Sequence, residues 1–212
     1  MLAIAGGKGG VGKTTTSLGL AAALPDRPLV VDADRDMPDL HALAGVPRTQ
    51  VAEPEMDPGI DSPPLAEDHD CYVLPSPVGA PSPADQRLSA IRASWEDQER
   101  DASPILVDTP AGAGVDAAVP LGVADAVVLV STACAPALRD AAKTAAMARA
   151  VDTPVVGAVL TRTAVRPPNA ADLLGCPVLA TVPTVDGRPL DARRVRGSYD
   201  RAAAALRERT TL

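Results

Sequence analysis

Aromatic residues are almost missing from this 212-residue chain: one Trp, two Tyr and no Phe. Any hydrophobic core must therefore be built from Val, Leu, Ile and Ala, which supply nearly all of the 46% apolar content. The chain is long enough to bury such a core, and a single domain over residues 1–212 is expected. Lysine is scarce too, with only Lys8, Lys13 and Lys143 among 20 basic residues. The 27 acidic residues leave a net charge of −7. An acidic, Asp-rich, Lys-poor surface suits a salt-rich cytoplasm. A GC-rich coding bias gives much the same usage, and both readings stand. Cys71, Cys134 and Cys176 are isolated, with no C-x-x-C pair and no metal-ligand spacing. Scattered buried thiols in a reduced, cytoplasmic protein are expected. No apolar run approaches the roughly 18 to 20 residues of a membrane span. Met1 leads almost directly into an apolar run, so no secretory leader is expected.

What is present is concentrated near the start. Leu2-Ala3-Ile4-Ala5 reads as a buried strand, and Ser17 to Leu24 reads as a helix. Between them, Gly7 to Thr14 matches G-x-x-x-x-G-K-[ST] without a gap. In a strand–loop–helix setting this spacing makes a phosphate-binding loop. Glycines let the backbone curl with its N–H groups inward, and the helix N-terminus behind them favours an anion. Gly7, Gly9, Gly10, Val11, Gly12, Lys13, Thr14 and Thr15 are the candidate nucleotide contacts. Lys13 is placed to reach the β- and γ-phosphates, and the Thr14 hydroxyl to join the shell of a magnesium ion.

Further along, Leu29-Val30-Val31-Asp32 follows the first helix and completes a βαβ unit, hence a parallel sheet. Asp32-Ala33-Asp34 then lies at the carboxyl edge of a strand, where open α/β sheets bind ligands. Pro104-Ile105-Leu106-Val107-Asp108 is a second apolar run ending in aspartate, a Walker B pattern whose carboxylate serves the magnesium shell. Thr109-Pro110-Ala111-Gly112 follows, and Gly112 gives the backbone there freedom to move. Other expected strands are Cys71 to Pro75, Ala126 to Val130, Val155 to Leu160 and Pro177 to Thr181. Helices are expected at Leu40 to Ala44, Ser82 to Glu99 and Ala137 to Val151, with Leu88, Ile91 and Trp95 facing the core. The rest of residues 35–70, with Pro54, Pro58, Pro63 and Pro64, reads as loop: a mobile partner surface or a linker. The elements predict a doubly wound, mostly parallel α/β sheet of about seven strands with helices on both faces.

Lys8-Gly9-Gly10-Val11-Gly12-Lys13-Thr14-Thr15 resembles the deviant Walker A motif of the MinD/ParA family of ATPases, and the likeness runs from Ile4 to Pro183. The resemblance implies ATP and Mg2+ as ligands and an ATP-dependent homodimer with nucleotide between the subunits. Lys8 takes the position of the signature lysine that reaches the partner's phosphates, as an arginine finger does. Asp32-Ala33-Asp34 matches the start of switch I, which puts Asp32 near the magnesium shell and Asp34 on the attacking water. Asp39 stands where the family often has Asn. Asp108 to Gly112 resembles switch II. Thr161-Arg162-Thr163 lacks the Lys and Asp of a guanine signature, so adenine is expected, flanked by Arg162 and the Pro183 region. The family's role implies slow ATP hydrolysis as a switch for positioning a cargo or recruiting an unidentified protein partner. A non-hydrolysing regulatory module is the alternative. A relative holding an iron–sulfur cluster between subunits needs paired cysteines near switch II, and a metal-cluster carrier of the Mrp type needs a C-x-x-C; neither is present. Ser198 to Arg209 has a mostly alanine apolar side and reads as a docked helix rather than a membrane-targeting one. Its arginines leave a nucleic-acid contact open, and the net acidity argues against it.

Overall fold

The computed structural model describes residues 1–48, 63–77, 83–97, 103–112 and 114–210. The chain alternates strand and helix. It runs β1 (Leu2–Ala5), α1 (Lys13–Ala21), β2 (Leu29–Asp32), α2 (Leu40–Ala44), β3 (Leu65–Ala66), β4 (Cys71–Leu74), α3 (Ala84–Asp97) and β5 (Ile105–Asp108). It continues with α4 (Val115–Val123), β6 (Ala126–Thr132), α5 (Ala135–Ala150), β7 (Val155–Thr161), α6 (Ala170–Leu174), β8 (Val178–Val182) and α7 (Arg193–Arg207). The strands form one eight-stranded sheet in the order β3-β4-β2-β5-β1-β6-β7-β8. All pairs are parallel except β3 with β4.

Among the described residues the sheet holds eight strands, in line with the expected count of about seven. The additional one is β3, whose two residues pair Leu65 with Tyr72 and Ala66 with Cys71. It lies inside the stretch expected to be loop, and two residues are too few to carry a period-2 signal. Pro54 and Pro58 of that stretch lie outside the described residues, as do Ser82, Gln98 and Glu99 at the ends of the helix expected around Trp95. The helices α4 and α6 were not anticipated.

Side chains alternate across the strands, and both faces are covered. Leu2, Ile4, Val30, Leu106, Val128 and Val159 face the layer of α1 and α7. Ala3, Ala5, Val127, Leu129, Ala158 and Leu160 face α4, α5 and α6, whose contribution is largely alanine. Leu29, Val31, Ile105 and Val107 pack on α3 through Leu88, Ile91 and Trp95. Trp95 is buried, meets Tyr72 edge-on at 5.5 Å between ring centroids, and donates its indole N–H to the Ser103 carbonyl at 3.1 Å. The C-terminal helix is docked as expected: Val195, Tyr199, Ala202, Ala203 and Leu206 are buried in the core. Tyr199 lies over α1 at Gly19, where any Cβ would collide with its ring, and its hydroxyl is 3.3 Å from that of Thr16. Among the described residues, no helix is long and apolar enough to cross a membrane.

β1 sits at the point where the strand order reverses, with β5 on one side and β6 on the other. In open parallel sheets the crevice beyond the carboxyl ends of the strands at such a point is the ligand site. The loop after β1 opens into that crevice.

Candidate functional site

The loop from Gly6 to Gly12 is held by its glycines for separate reasons. Gly10 and Gly12 have φ of 72° and 93°, a left-handed backbone that side chains oppose. Gly6 and Gly7 are fixed by crowding: a Cβ on Gly6 would lie 2.7 Å from the Val130 carbonyl oxygen, and one on Gly7 would strike the backbone of Asp140 on α5. The loop is tied to the sheet by the Thr161 hydroxyl, which donates to the Val11 carbonyl at 2.6 Å. Gly12 then starts α1, and its carbonyl accepts the Thr16 N–H at 2.9 Å. The first turn of α1 therefore aims its free N–H groups at the crevice, a ready anion site.

Most of the expected site residues outside the loop backbone fall into three groups. Lys13, Thr14, Asp32 and Asp108 converge at the foot of the loop. Strand register sets Asp32 beside Asp108, at the ends of β2 and β5. Lys13 is buried at the start of α1, and its charge acts on Asp108. The second group, Lys8, Gly9 and Gly10, lies exposed on the rim. Arg162 and Pro183 form the third, at the ends of β7 and β8, joined where the Thr163 N–H donates to the Val182 carbonyl at 3.0 Å. Arg162 has a φ of 55°. The carboxylate of Asp34 turns onto its own loop, with Oδ1 accepting the N–H groups of Asp36 at 3.2 Å and Met37 at 3.0 Å. After Asp108, the Thr109 hydroxyl donates to the Ile4 carbonyl at 3.1 Å, and Gly112 has a φ of 105°.

Three contributors were not foreseen. The Ser17 hydroxyl donates to Asp108 Oδ1 at 3.3 Å; its position four residues after Lys13 on the same helix face was the available clue. Arg87 on α3 is buried, and donates to the Asp32 carbonyl and the Pro75 carbonyl at 3.0 Å each, bracing the tip of β2. Nothing in the periodicity of α3 marks it. Asp39, noted only as a departure from Asn, accepts the Thr14 hydroxyl on Oδ1 at 3.0 Å. One expectation is corrected: Cys134 is not buried but exposed, before the first turn of α5. A hydrogen bond from Thr132 leads the causes that lower its thiol pKa, and Lys8 adds to them.

The electrostatics call for a cation. Burial pushes the Asp32 carboxyl up to about 7, and the neighbouring Asp108 charge adds to it. Burial likewise pushes Asp108 to about 7, against the pull of the Thr14 hydroxyl and Lys13 and with a further push from Asp39. Asp32 Oδ1 accepts the Asp34 N–H at 3.0 Å, whereas Oδ2 is buried with no hydrogen-bond partner. A buried, unsatisfied carboxylate oxygen is costly unless something positive meets it. The donors here are all oxygen, which suits a hard divalent ion. Among the described residues no three metal-binding side chains gather into a cage. Magnesium rarely uses one: it keeps its waters and takes one or two protein oxygens plus substrate phosphates.

A pH dependence follows. A carboxyl of pKa 3.8 when unfolded and about 7 when folded makes the fold bind more protons between those values. Its penalty is absent below about pH 4, grows as pH rises, and is complete above about pH 7. A bound divalent ion offsets that penalty. Added Mg2+ with ADP is therefore expected to raise the melting temperature more at pH 8 than at pH 5.5. Equal shifts at both pH values would show that Asp32 and Asp108 do not face the ion.

A Gly-rich loop before a helix, a buried lysine, a hydroxyl and two strand-end carboxylates define a P-loop nucleotide-binding protein. A family model described as the CobQ/CobB/MinD/ParA nucleotide binding domain matches residues 2–187. The chain belongs to that family, whose members are ATP-binding P-loop proteins. It is 30% identical over 176 residues to an uncharacterized ATP-binding protein of Methanocaldococcus jannaschii, a match covering 76% of this chain and 64% of that one. Among solved structures, it is similar to MinD complexed with Mg-ADP from Pyrococcus horikoshii, with a TM-score of 0.74 at 22% identity over 95% of this chain and 93% of that one. It is also similar to a chain of the MinC:MinD cell division complex of Aquifex aeolicus, with a TM-score of 0.79 at 18% identity over 99% and 96% of the two chains. The α/β fold is thus that of the MinD and ParA ATPases.

Proposed function

We propose that this chain is a magnesium-dependent ATPase that works as a dimer-gated switch. The observation that carries the reading is the division of labour between two lysines of one loop. Lys13 is buried beside Asp108, whereas Lys8 is exposed on the rim. A lysine turned inward serves its own subunit's phosphates; one turned outward is free to serve those of a second copy. Met37 and Val115, which flank the two switch segments, are 76% and 78% exposed, consistent with a face that becomes covered on association.

In this reading the loop amides and Lys13 bind the phosphates, and Thr14, Asp32 and Asp108 would hold a magnesium ion, which would supply neutralising charge to the phosphates. Asp34 leaves its loop amides to orient the attacking water, and Lys8 from each subunit stabilises charge developing across the dimer. Arg162 and the Pro183 region flank adenine. Loss of the γ-phosphate frees Gly112 and the Asp34 loop, and the dimer parts. The output is recruitment or placement of a protein partner; among the described residues the C-terminal helix is docked on the sheet, and nucleic acid is not the favoured target.

The test is mass in solution with Mg-ATP. Asp34→Ala is expected to accumulate a dimer and Lys8→Ala to remain monomeric while still binding nucleotide. If wild type and both variants bind ATP as monomers, the dimer-gated reading is wrong. The hold of the Asp36 and Met37 amides on Asp34 favours a second reading, a nucleotide-dependent regulator that does not hydrolyse. Wild-type protein that binds ATP without turnover would select it.

A further inference from the structure

We propose that Asp39 is a positioning residue for the divalent ion, the outer-shell acceptor that orients the Thr14 hydroxyl and lends the site an additional negative charge. This rests on the reading that Thr14 and Asp32 hold a magnesium ion with the nucleotide.

Asp39 occupies the position just before α2, where a carboxylate ordinarily accepts N–H groups of the helix's first turn. It makes no such side-chain cap. Its Oδ1 instead crosses to Thr14, 25 residues earlier in the chain, and accepts a hydrogen bond from its hydroxyl at 3.0 Å, in competition with Asp108, on which the same hydroxyl also acts. Asp39 is exposed, so water could have satisfied its carboxylate. The next residue points the same way: the backbone N–H of Leu40 has a small favourable effect on the ionised Asp32 carboxyl. The start of α2 thus acts on both a hydroxyl and a carboxylate of the cation site.

The geometry has a chemical reading. A hydroxyl that ligates a cation does so through a lone pair, and its proton must go elsewhere. An acceptor fixed on the far side turns the lone pairs toward the ion and makes the oxygen a better ligand, as outer-shell carboxylates do for ligating histidines. Asparagine at this position could accept the same proton, but only aspartate adds charge. That charge is unfavourable beside Asp108 alone. It becomes favourable once a divalent ion lies between them. The buried, unpartnered Oδ2 of Asp32 independently marks where positive charge is wanted.

The experiment titrates Mn2+ into protein with saturating ADP and follows free Mn2+ by electron paramagnetic resonance. ADP affinity in EDTA is measured beside it. Asp39→Ala is expected to weaken Mn2+ binding about 10- to 100-fold. Asp39→Asn, which keeps the acceptor and loses the charge, should fall in between. Metal-free ADP affinity should be unchanged or higher in both, since a negative charge near the phosphates is gone. In a Thr14→Val background, Asp39→Ala should cost no more than Asp39→Asn costs in the wild type, because only the charge is left to lose. A purely structural Asp39 would lower Mn2+ affinity, metal-free ADP affinity and melting temperature together, overturning the proposal. So would unchanged Mn2+ affinity in Asp39→Ala. If wild-type protein binds ADP but takes up no Mn2+ with it, both this inference and the magnesium reading fall.

Discussion

Lys13→Ala is expected to lower ATP turnover by about a hundred- to a thousandfold, the usual cost of removing one preorganised donor from a phosphoryl or oxyanion site. The reason is where the ammonium sits. Lys13 is the first residue of α1, behind loop amides that already face the crevice, and it is only 9% exposed. A charge in such a place acts through little water and needs no reorganisation when charge builds on the γ-phosphate. Its removal also takes away a cation that helps ionise Asp108, so that carboxyl would keep its proton to higher pH. Nucleotide affinity and divalent-ion affinity should therefore fall together. The fold should survive, because a neutral Asp108 is easier to bury than a charged one. The check is steady-state phosphate release by wild type and variant purified side by side, with circular dichroism to confirm folding. Turnover within tenfold of wild type would place the activity outside this loop.

The outcome separates two roles that one sequence motif contains. Lys8→Ala should retain nucleotide binding in the monomer and lose whatever depends on association. Lys13→Ala should lose the binding itself. If both variants bind nucleotide equally weakly, the contrast between the buried and the exposed lysine has no functional meaning.

Much of this was legible in the sequence because parallel strands buried on both faces are short apolar runs, and their polar tips are conspicuous. Asp32 and Asp108 each end such a run, and the register of β2 against β5 makes them neighbours. The loop glycines and Lys13 stood out because the phosphate-binding pattern fixes their spacing, and the structure sets them between β1 and the first turn of α1 as that spacing requires. The remainder depends on tertiary packing. Arg87 reaches the tip of β2 from a helix far along the chain, and no local pattern predicts that. Asp39 was visible as a substitution, yet its bond to Thr14 depends on how α2 swings back over α1. β3 exists only because β4 offers it an edge. The cysteines carried no spacing signal, so the exposure of Cys134 could come only from the β6–α5 turn.

Gly7→Ala and Gly9→Ala, two residues apart in one motif, are expected to behave oppositely. At Gly7 a Cβ would collide with the main chain of Asp140, and the Asp140 Cβ itself lies 2.8 Å away. Asp140 belongs to α5, whose Ala137, Ala141, Ala145 and Ala148 are buried against the sheet. Moving α5 outward would open that layer, where the alanines are too short to fill a gap and only Leu138 and Met147 reach further. Moving the loop inward is opposed by Gly6, already close to the Val130 carbonyl. The strain has no cheap outlet, so a destabilisation of about 3 kcal/mol or more is expected. For a chain this size that is a fall of roughly 6 to 12 °C in melting temperature. Nucleotide binding should be lost with it, since the displaced segment is the proposed phosphate cradle. At Gly9 nothing lies within 4 Å of the added carbon, and the backbone is not left-handed. Gly9→Ala should melt within about 2 °C of wild type, as surface substitutions do. Thermal denaturation of the two variants is the measurement. Equal melting temperatures would mean that α5 yields easily; a large loss at Gly9 would mean that the rim of the loop is packed rather than open to a ligand.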